Sequence, residues 1–244
     1  LYNIVDRIYI GHIPVYGAAA LTGVGVTMPA IMIISAFAAL VSAGGAPRVS
    51  MLMGKGAPDS AERIIGTCTF TLCAISLALT LIMQLFAVPI LRLFGASDAT
   101  LPYALEYISI YSLGTIFVQL SLGLNAFITA QGFSRTSMLT VLIGAVLNII
   151  LDPVLIFGLG PFPQLGITGA ALATGLGQSL TLGIYLVLYH FRPIPVTIAR
   201  RDMAPTRTMV RRLYAIGVPA TLNLALPSVL VSALNGILAT FSQG

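Results

Sequence analysis

Asp6, Asn148 and Asp152 are strongly polar residues within stretches that otherwise carry mostly apolar side chains. A carboxylate at the centre of a bilayer costs roughly 2.5–3.5 kcal/mol on insertion scales, so such a residue marks a functional site by default. Carboxylate and amide oxygens suit a proton or a hard cation better than a soft metal. We therefore expect these residues to form a cation-coupling site for H⁺ or Na⁺, with no other metal and no cofactor.

The composition predicts a multi-pass protein of the cell membrane. Hydrophobic residues make up 57% of the 244 residues, charged residues make up 8%, and the mean hydropathy is +0.99. A soluble domain carries about a quarter charged residues. No basic run is interleaved with aromatic residues in the way nucleic-acid-binding modules require, so we expect no nucleic-acid partner. The sequence has no zinc, phosphate-loop, dinucleotide or nucleophile-elbow motif, so it does not predict an enzyme.

Six apolar segments have the length of about 20 residues that a spanning helix needs. A shorter segment, Leu1–Ile10, opens the chain, and we expect it to be the second half of a helix whose first half is missing. The fold class is therefore all-α: a six-helix bundle with a truncated first helix, and a seventh helix that begins a second bundle. The six full-length segments are Val24–Ala46, Ile64–Val88, Tyr103–Thr129, Met138–Gly158, Gly166–Tyr189 and Leu213–Phe241.

Basic residues are concentrated in alternate loops, which the positive-inside rule assigns to the cytoplasm. These loops are Pro47–Arg63, Gln131–Ser137 and Phe191–Arg212, and the last is long and rich in Pro and Arg. The chain is thus predicted to comprise an amino-terminal lobe (1–190), a cytoplasmic connector (191–212) and the first helix of an incomplete carboxy-terminal lobe (213–244). The missing lobe and membrane lipid are the expected partners.

The candidate site residues should lie at a similar depth. Asp6 precedes the outer end of its helix by about five residues and Asp152 by about six, while Thr174 lies about eight residues inside its own helix. Asn148 is four residues before Asp152, so it occupies the same helix face one turn deeper. Two carboxyl groups this close in a low dielectric cannot both ionise at low cost. We expect Asp6, Asn148, Asp152 and Thr174 to form one oxygen-rich cage.

Two prolines are candidate kink or hinge positions. Pro153 follows Asp152 directly and has no N–H, so the carbonyl of Ile149 loses its helical partner and becomes a further candidate cation ligand. Pro29 interrupts the segment Val24–Ala46 and is expected to help it bend. Interrupted helices of this kind form the binding sites of many secondary transporters.

Several motifs, in the same order along the chain, resemble those of the multidrug and toxic compound extrusion (MATE) transporters of bacteria. They are Tyr2–Gly11, Gly44–Arg48 with Met53–Gly56, Asn125–Gly132, Leu147–Pro153 and Gly166–Thr174. The resemblance implies twelve helices in two lobes around a central cavity, and it implies alternating-access export of cationic amphipathic drugs in exchange for H⁺ or Na⁺. It matches Asp6, Asn148 and Asp152 to the amino-terminal cation site, and Thr174 would supply a hydroxyl.

Other functions remain as alternatives. A flippase for a lipid-linked oligosaccharide, from a related transporter family, would keep the fold but would need a wide basic cavity. The spanning segments hold almost no Arg or Lys, which argues against it. A retinal protein would need a lysine in its last helix, whereas Lys55 is the only lysine and lies in a predicted loop.

Overall fold

Helices and their connecting loops make up the part of the chain that the structure describes, which confirms the all-α fold class. The structure is a computed structural model that describes residues 2–191, 194–198 and 206–241. The helices are α1 (Tyr2–Gly11), α2 (Gly17–Val26), α3 (Met28–Gly54), α4 (Pro58–Leu93), α5 (Leu101–Leu113), α6 (Thr115–Ala130), α7 (Ser134–Phe157), α8 (Ile167–Phe191) and α9 (Arg207–Phe241).

The helices expose apolar side chains and bury polar ones, which is the reverse of a water-soluble bundle. On α7, Leu142, Val146 and Ile150 are exposed, while Asn148 and Asp152 on the opposite face are fully buried. In a bilayer the outer face meets hydrocarbon, so polar side chains must turn inward and find partners there. This distribution suits a bundle surrounded by lipid.

Four described helices are long and apolar enough to cross a membrane, namely α3, α4, α7 and α8. The pair α5 and α6 adds a fifth span if the two helices are counted together. These five correspond to the first five full-length segments expected from the sequence. The last expected segment, Leu213–Phe241, lies within α9.

The segment Val24–Ala46 is not a single helix, which corrects the sequence expectation. The chain breaks at Thr27, and α3 then continues to Gly54, well into the predicted loop Pro47–Arg63. Pro29 lies in the first turn of α3, where a proline lacks no helical hydrogen bond, so it does not interrupt that helix. Hydropathy did not reveal this break because the residues on both sides of Thr27 are apolar.

The segment Tyr103–Thr129 also departs from the expected straight span. It is divided at Gly114 into α5 and α6, which are bent by 56° relative to each other. Ending α5 there frees carbonyl groups, and α4 satisfies one of them: Thr80 donates to the Ser112 carbonyl at 2.8 Å. Gln84 adds a bond of 2.8 Å to the Ser112 hydroxyl. The bend is therefore supported by side chains distant in sequence, which local hydropathy does not register.

Close backbone contacts join α9 to α3. A Cβ placed on Gly217 would collide with the carbonyl of Leu40, and one placed on Gly44 would collide with the carbonyl of Leu213. Helices in lipid approach this closely where one of the facing residues is small, as each of these glycines is. The predicted start of a second lobe thus packs against the first, although the division of the chain into lobes remains a prediction.

Part of the predicted cytoplasmic connector is held against the bundle. Ile194 and Val196 are buried, and the Val196 N–H donates to the Gln131 side-chain oxygen at 3.2 Å. The Thr197 N–H donates to Glu62 at 3.1 Å. Two other parts of the predicted connector, residues 192–193 and 199–205, lie outside the described residues.

Candidate cation-binding site

Asp6 faces the interior of the bundle because of its position on α1. Ile4 and Ile8 are exposed on one face of this helix, whereas Asp6 and Ile10 are almost fully buried on the other. Residues four apart share a helix face, so the two isoleucines turn toward lipid and the carboxylate turns inward.

Helices α7 and α8 bring the remaining expected residues to the same place. Their close packing depends on glycines: a Cβ on Gly169 would lie 2.6 Å from the Leu155 carbonyl, and one on Gly177 would lie 2.9 Å from the Gly144 carbonyl. The small residues of α8 therefore lie against α7. This packing brings Thr174 to within 3.4 Å of Asn148.

Asp6 is the centre of the resulting hydrogen-bond cluster. Its Oδ2 accepts from the Thr174 hydroxyl at 2.8 Å and from the Tyr107 hydroxyl at 3.0 Å. Its Oδ1 accepts from the Asn148 amide at 3.4 Å. Asp152 joins the cluster through the same amide, which donates to its Oδ1 at 3.3 Å. The structure therefore brings together all four residues selected from the sequence.

The Asn148 amide lies among more acceptors than it can satisfy. Its Nδ2 has two hydrogens but faces oxygens of Asp6, Asp152 and Thr174 at 3.3–3.4 Å. These distances are longer than the usual 2.9–3.0 Å for an N–H···O bond. The amide therefore holds the group together without a short bond to any one member.

Two oxygens of the cluster are buried and have no hydrogen-bond partner. They are Oδ1 of Asn148 and Oδ2 of Asp152. A buried acceptor left unpaired costs about 1–3 kcal/mol, a cost that a bound proton or cation would remove. Two neighbouring carboxyl groups also need a shared proton or a cation between them in a low dielectric. The arrangement therefore offers a proton or a hard cation two unpaired oxygens beside two carboxyl groups.

Tyr107 belongs to the cluster but was not selected from the sequence. It is fully buried on α5, and its ring stacks on Tyr111 with centroids 5.9 Å apart. Buried tyrosines usually need a partner for the hydroxyl, so this residue in an apolar helix was a usable signal. Its partner is on α1, 101 residues away, and no local pattern reveals such a contact.

Pro153 lies inside α7, which continues unbroken from Ser134 to Phe157. Its role as a hinge remains a prediction, as does that of Pro29 at the start of α3. Among the described residues, no three His, Cys, Asp or Glu side chains gather in a way that could hold a metal ion.

Comparison with known proteins identifies the family. The model of the MatE family matches residues 1–154, which is more than half of the chain. The chain belongs to the MatE family. The match includes α1 and most of α7, and so it covers Asp6, Asn148 and Asp152. The resemblance seen in the sequence motifs is confirmed.

Curated relatives of this MatE chain are transport proteins. It is 29% identical over 244 residues to the multidrug export protein MepA of Staphylococcus haemolyticus, covering 100% of this chain and 52% of the relative. It is 30% identical over 223 residues to an FAD transporter of Shewanella oneidensis, covering 91% and 48%. The chain thus spans about half the length of these relatives.

Solved structures of MatE relatives share the fold. The MATE multidrug transporter DinF-BH superposes with a TM-score of 0.90 at 28% identity, covering 100% of this chain and 53% of that one. An inward-facing multidrug resistance MATE family transporter of the MOP superfamily gives 0.88 at 25%, covering 97% and 52%. The MatE chain is a multi-pass membrane protein of a transporter family and not an enzyme.

Proposed function

We propose that this MatE chain contributes the cation-coupling lobe of a multidrug efflux antiporter, which exchanges H⁺ or Na⁺ for cationic amphipathic drugs by alternating access. The observation that carries the proposal is the buried cluster around Asp6, with its two unpaired oxygens on Asn148 and Asp152. The named multidrug transporters among the relatives support the export of drugs.

Coupling follows if the cation and the drug stabilise different arrangements of the helices. Cation binding holds together α1, α5, α7 and α8, which all contribute to the cluster. A drug that prefers the arrangement without the cation would then be released as the cation binds. Such coupling between two ligands amounts typically to about 1–3 kcal/mol, or about 5–150-fold in affinity.

Gradient-driven transport tests this function. The full-length protein would be reconstituted in vesicles, and efflux of a fluorescent amphipathic cation would be followed under an imposed pH or Na⁺ gradient. We expect at least one gradient to accelerate efflux, and we expect Asp152→Asn to remove that acceleration. Efflux that is indifferent to both gradients, or unchanged in Asp152→Asn, contradicts the proposal.

Tyr107→Phe should raise the apparent affinity for the coupling cation by about tenfold. The Tyr107 hydroxyl stabilises Asp6 while the carboxylate is empty, and a hydrogen bond to a charged group contributes about 1.5–3 kcal/mol. Removing it disfavours the empty state and so favours the cation-bound one. The measurement is the cation concentration that gives half-maximal efflux.

Tyr111→Phe is the matched control for that measurement. Tyr111 stacks on Tyr107 in the same helix and is also buried, so both variants lose a hydroxyl and keep a ring. We expect the half-saturating concentration to change less than about threefold, since the bond to Asp6 stays intact. Equal effects of the two variants would refute a specific role for Tyr107.

A second substrate class, amphipathic anions of the flavin-nucleotide type, is favoured by a different observation. A cavity of about 430 Å³ is lined by Arg7, Met28 and Met32 among other described residues, and the Arg7 Nε is buried without a hydrogen-bond partner. A substrate of the kind named for the FAD transporter relative carries negative charge, which suits a pocket with an unpaired arginine nitrogen. Competition between FAD and the fluorescent cation for efflux would separate the two classes.

The flippase alternative draws less support from the described residues. The Arg7 cavity and a second cavity of about 380 Å³ near Arg48 each include one arginine among mostly apolar side chains. A pyrophosphate group would call for several basic residues at one place. An assay of lipid flipping in the same vesicles would test this alternative directly.

A further inference from the structure

Buried polar residues continue along α8 beyond the cation-binding cluster. Thr174, Gln178, Thr181, Tyr185 and Tyr189 follow one another at intervals of three or four residues, so they share one face of the helix. Each is less than 9% exposed. At 1.5 Å per residue they extend about 22 Å toward the end of α8 that the basic loops predict to be cytoplasmic.

Helix α6 supplies partners for this face in matching order. The Ser121 hydroxyl donates to Gln178 at 2.5 Å, and the Asn125 amide donates to the Tyr185 hydroxyl at 2.6 Å. Because Ser121 and Asn125 are one turn apart, they too share a helix face. The two helices run side by side, so successive polar residues of α6 contact successive polar residues of α8.

A third contact closes the lower end of this row. Just after α6, the Gln131 amide donates to the Tyr189 hydroxyl at 3.3 Å, and its oxygen accepts from the Val196 N–H. Val196 belongs to the connector. We call the whole row the polar seam, and its members are Ser121, Asn125, Gln131, Gln178, Thr181, Tyr185 and Tyr189.

The upper end of the polar seam reaches the cation-binding cluster. Gln178 is one turn from Thr174, whose hydroxyl donates to Asp6. The lower end reaches the last turn of α8 beside the connector. The polar seam is thus the row of buried polar groups that extends from the cluster to the expected cytoplasmic end.

Helix packing alone does not account for the seam. Close packing of α8 does not need polar side chains, because its contact with α7 depends on Gly169 and Gly177. Interhelical hydrogen bonds in membranes contribute only about 0.6 kcal/mol each on average, so a row of large amide and phenol side chains gains little stability. Such groups are costly to bury, and polar residues buried inside a membrane are typically functional.

We propose that the polar seam is the route by which the coupling cation leaves the cluster toward the cytoplasm. This inference rests on the proposed function, because it assumes that Asp6 and Asp152 bind the cation. The hydroxyls of Ser121, Thr181, Tyr185 and Tyr189 both donate and accept, so they can turn to pass a proton along the row. The oxygens of the same groups can also replace part of the hydration shell of Na⁺.

Accessibility to Ag⁺ tests the route without requiring transport. Every cysteine of the full-length protein, Cys68 and Cys73 included, would first be replaced by alanine, and Ser121→Cys would then be introduced. Inside-out vesicles expose the cytoplasmic side to Ag⁺, which reacts with thiols and has the size of a small monovalent cation. The thiols that remain would be counted with a fluorescent maleimide after the protein is unfolded.

Leu72→Cys is the matched control. Leu72 is fully buried on α4 against Gly123, two residues after Ser121 on α6, and it belongs to the apolar core outside the seam. Ile65→Cys, also fully buried on α4, is a second control should the first variant fail to fold. We expect Ser121→Cys to react at least about tenfold faster than either control, because a closed apolar site reacts only after local opening.

A rate for Ser121→Cys no faster than that of the controls overturns the route for a metal cation such as Na⁺, and the transport readout below decides the route for a proton. Neither result bears on whether Asp152→Asn loses ion-driven efflux, so failure of the route and failure of the proposed function are distinguishable. Transport gives a second readout: Tyr185→Phe keeps the ring but removes a seam hydroxyl. We expect it to lower the maximal rate several-fold without changing the half-saturating cation concentration on the outer side, and an unchanged maximal rate contradicts the proposal.

Discussion

Asp6→Asn is expected to abolish ion-driven efflux while leaving the protein folded and in the membrane. Asp6 accepts from Tyr107, Thr174 and Asn148, so its hydrogen bonds link α1 to three other helices. An asparagine keeps the size of the side chain but can no longer take up a proton, and it has no negative charge to attract a cation. The effect of the cation on drug affinity, typically about 5–150-fold for coupled sites, should fall to none.

The measurement compares drug affinity with and without the cation in the wild type and in Asp6→Asn. Asp98→Asn supplies the control, since Asp98 is an exposed carboxylate that pairs with Arg92 at 2.9 Å. Exposed ion pairs contribute about 0–1 kcal/mol, so this variant should retain the full ion effect. Should Asp6→Asn also retain it, the cluster around Asp6 would not be the coupling site.

The sequence predicted the spans better than the breaks between them. Hydropathy finds a long apolar segment because the signal is summed over about 20 residues. The break at Thr27 and the bend at Gly114 leave that sum unchanged, since the residues on both sides are equally apolar. At Gly114 the bend depends on Thr80 and Gln84 of α4, which cap carbonyl and hydroxyl groups of α5. Such contacts are set by tertiary structure.

The members of the cluster could be predicted because their depth in the membrane follows from the number of residues to the end of each helix. Asp6, Asn148, Asp152 and Thr174 stand out as polar groups at a similar distance from helix ends, and the structure brings them together. Their role in coupling remains a prediction. Tyr107 was missed because its partner lies 101 residues away in sequence, and a tyrosine in an apolar helix indicates that a partner is needed but not which residue it is.

The polar seam was missed for a related reason. Each of its residues is ordinary when taken alone in the sequence. The pattern appears when α6 and α8 are placed side by side and Ser121 meets Gln178. Helix α8 therefore presents glycines toward α7, which permit close approach, and polar side chains that bond mainly to α6. Tyr185 also donates to the Ser137 carbonyl of α7 at 3.3 Å.

Gly177→Ala, on the glycine face of α8, is expected to destabilise the protein and to disturb the cluster around Asp6. A Cβ at Gly177 would lie 2.9 Å from the carbonyl oxygen of Gly144 and 3.3 Å from the Cβ of Asn148. Both contacts are with atoms at or next to the α7 backbone, which cannot rotate away, so α8 must shift by a few tenths of an ångström. Overpacking of this kind costs about 1–3 kcal/mol, and the shift would move Asn148 relative to Asp6 and Thr174.

Gly175→Ala, two residues away on the same helix, should behave in the opposite way. A Cβ there meets nothing within 4 Å, so the variant avoids the collision and gains the helix propensity of alanine, about 0.5–1 kcal/mol. Thermal unfolding in detergent would therefore show a lower melting temperature for Gly177→Ala and an equal or higher one for Gly175→Ala. Only Gly177→Ala should also weaken cation binding, because only its collision reaches Asn148. Equal melting temperatures for the two variants would mean that the contact between α7 and α8 does not set the geometry of the cluster.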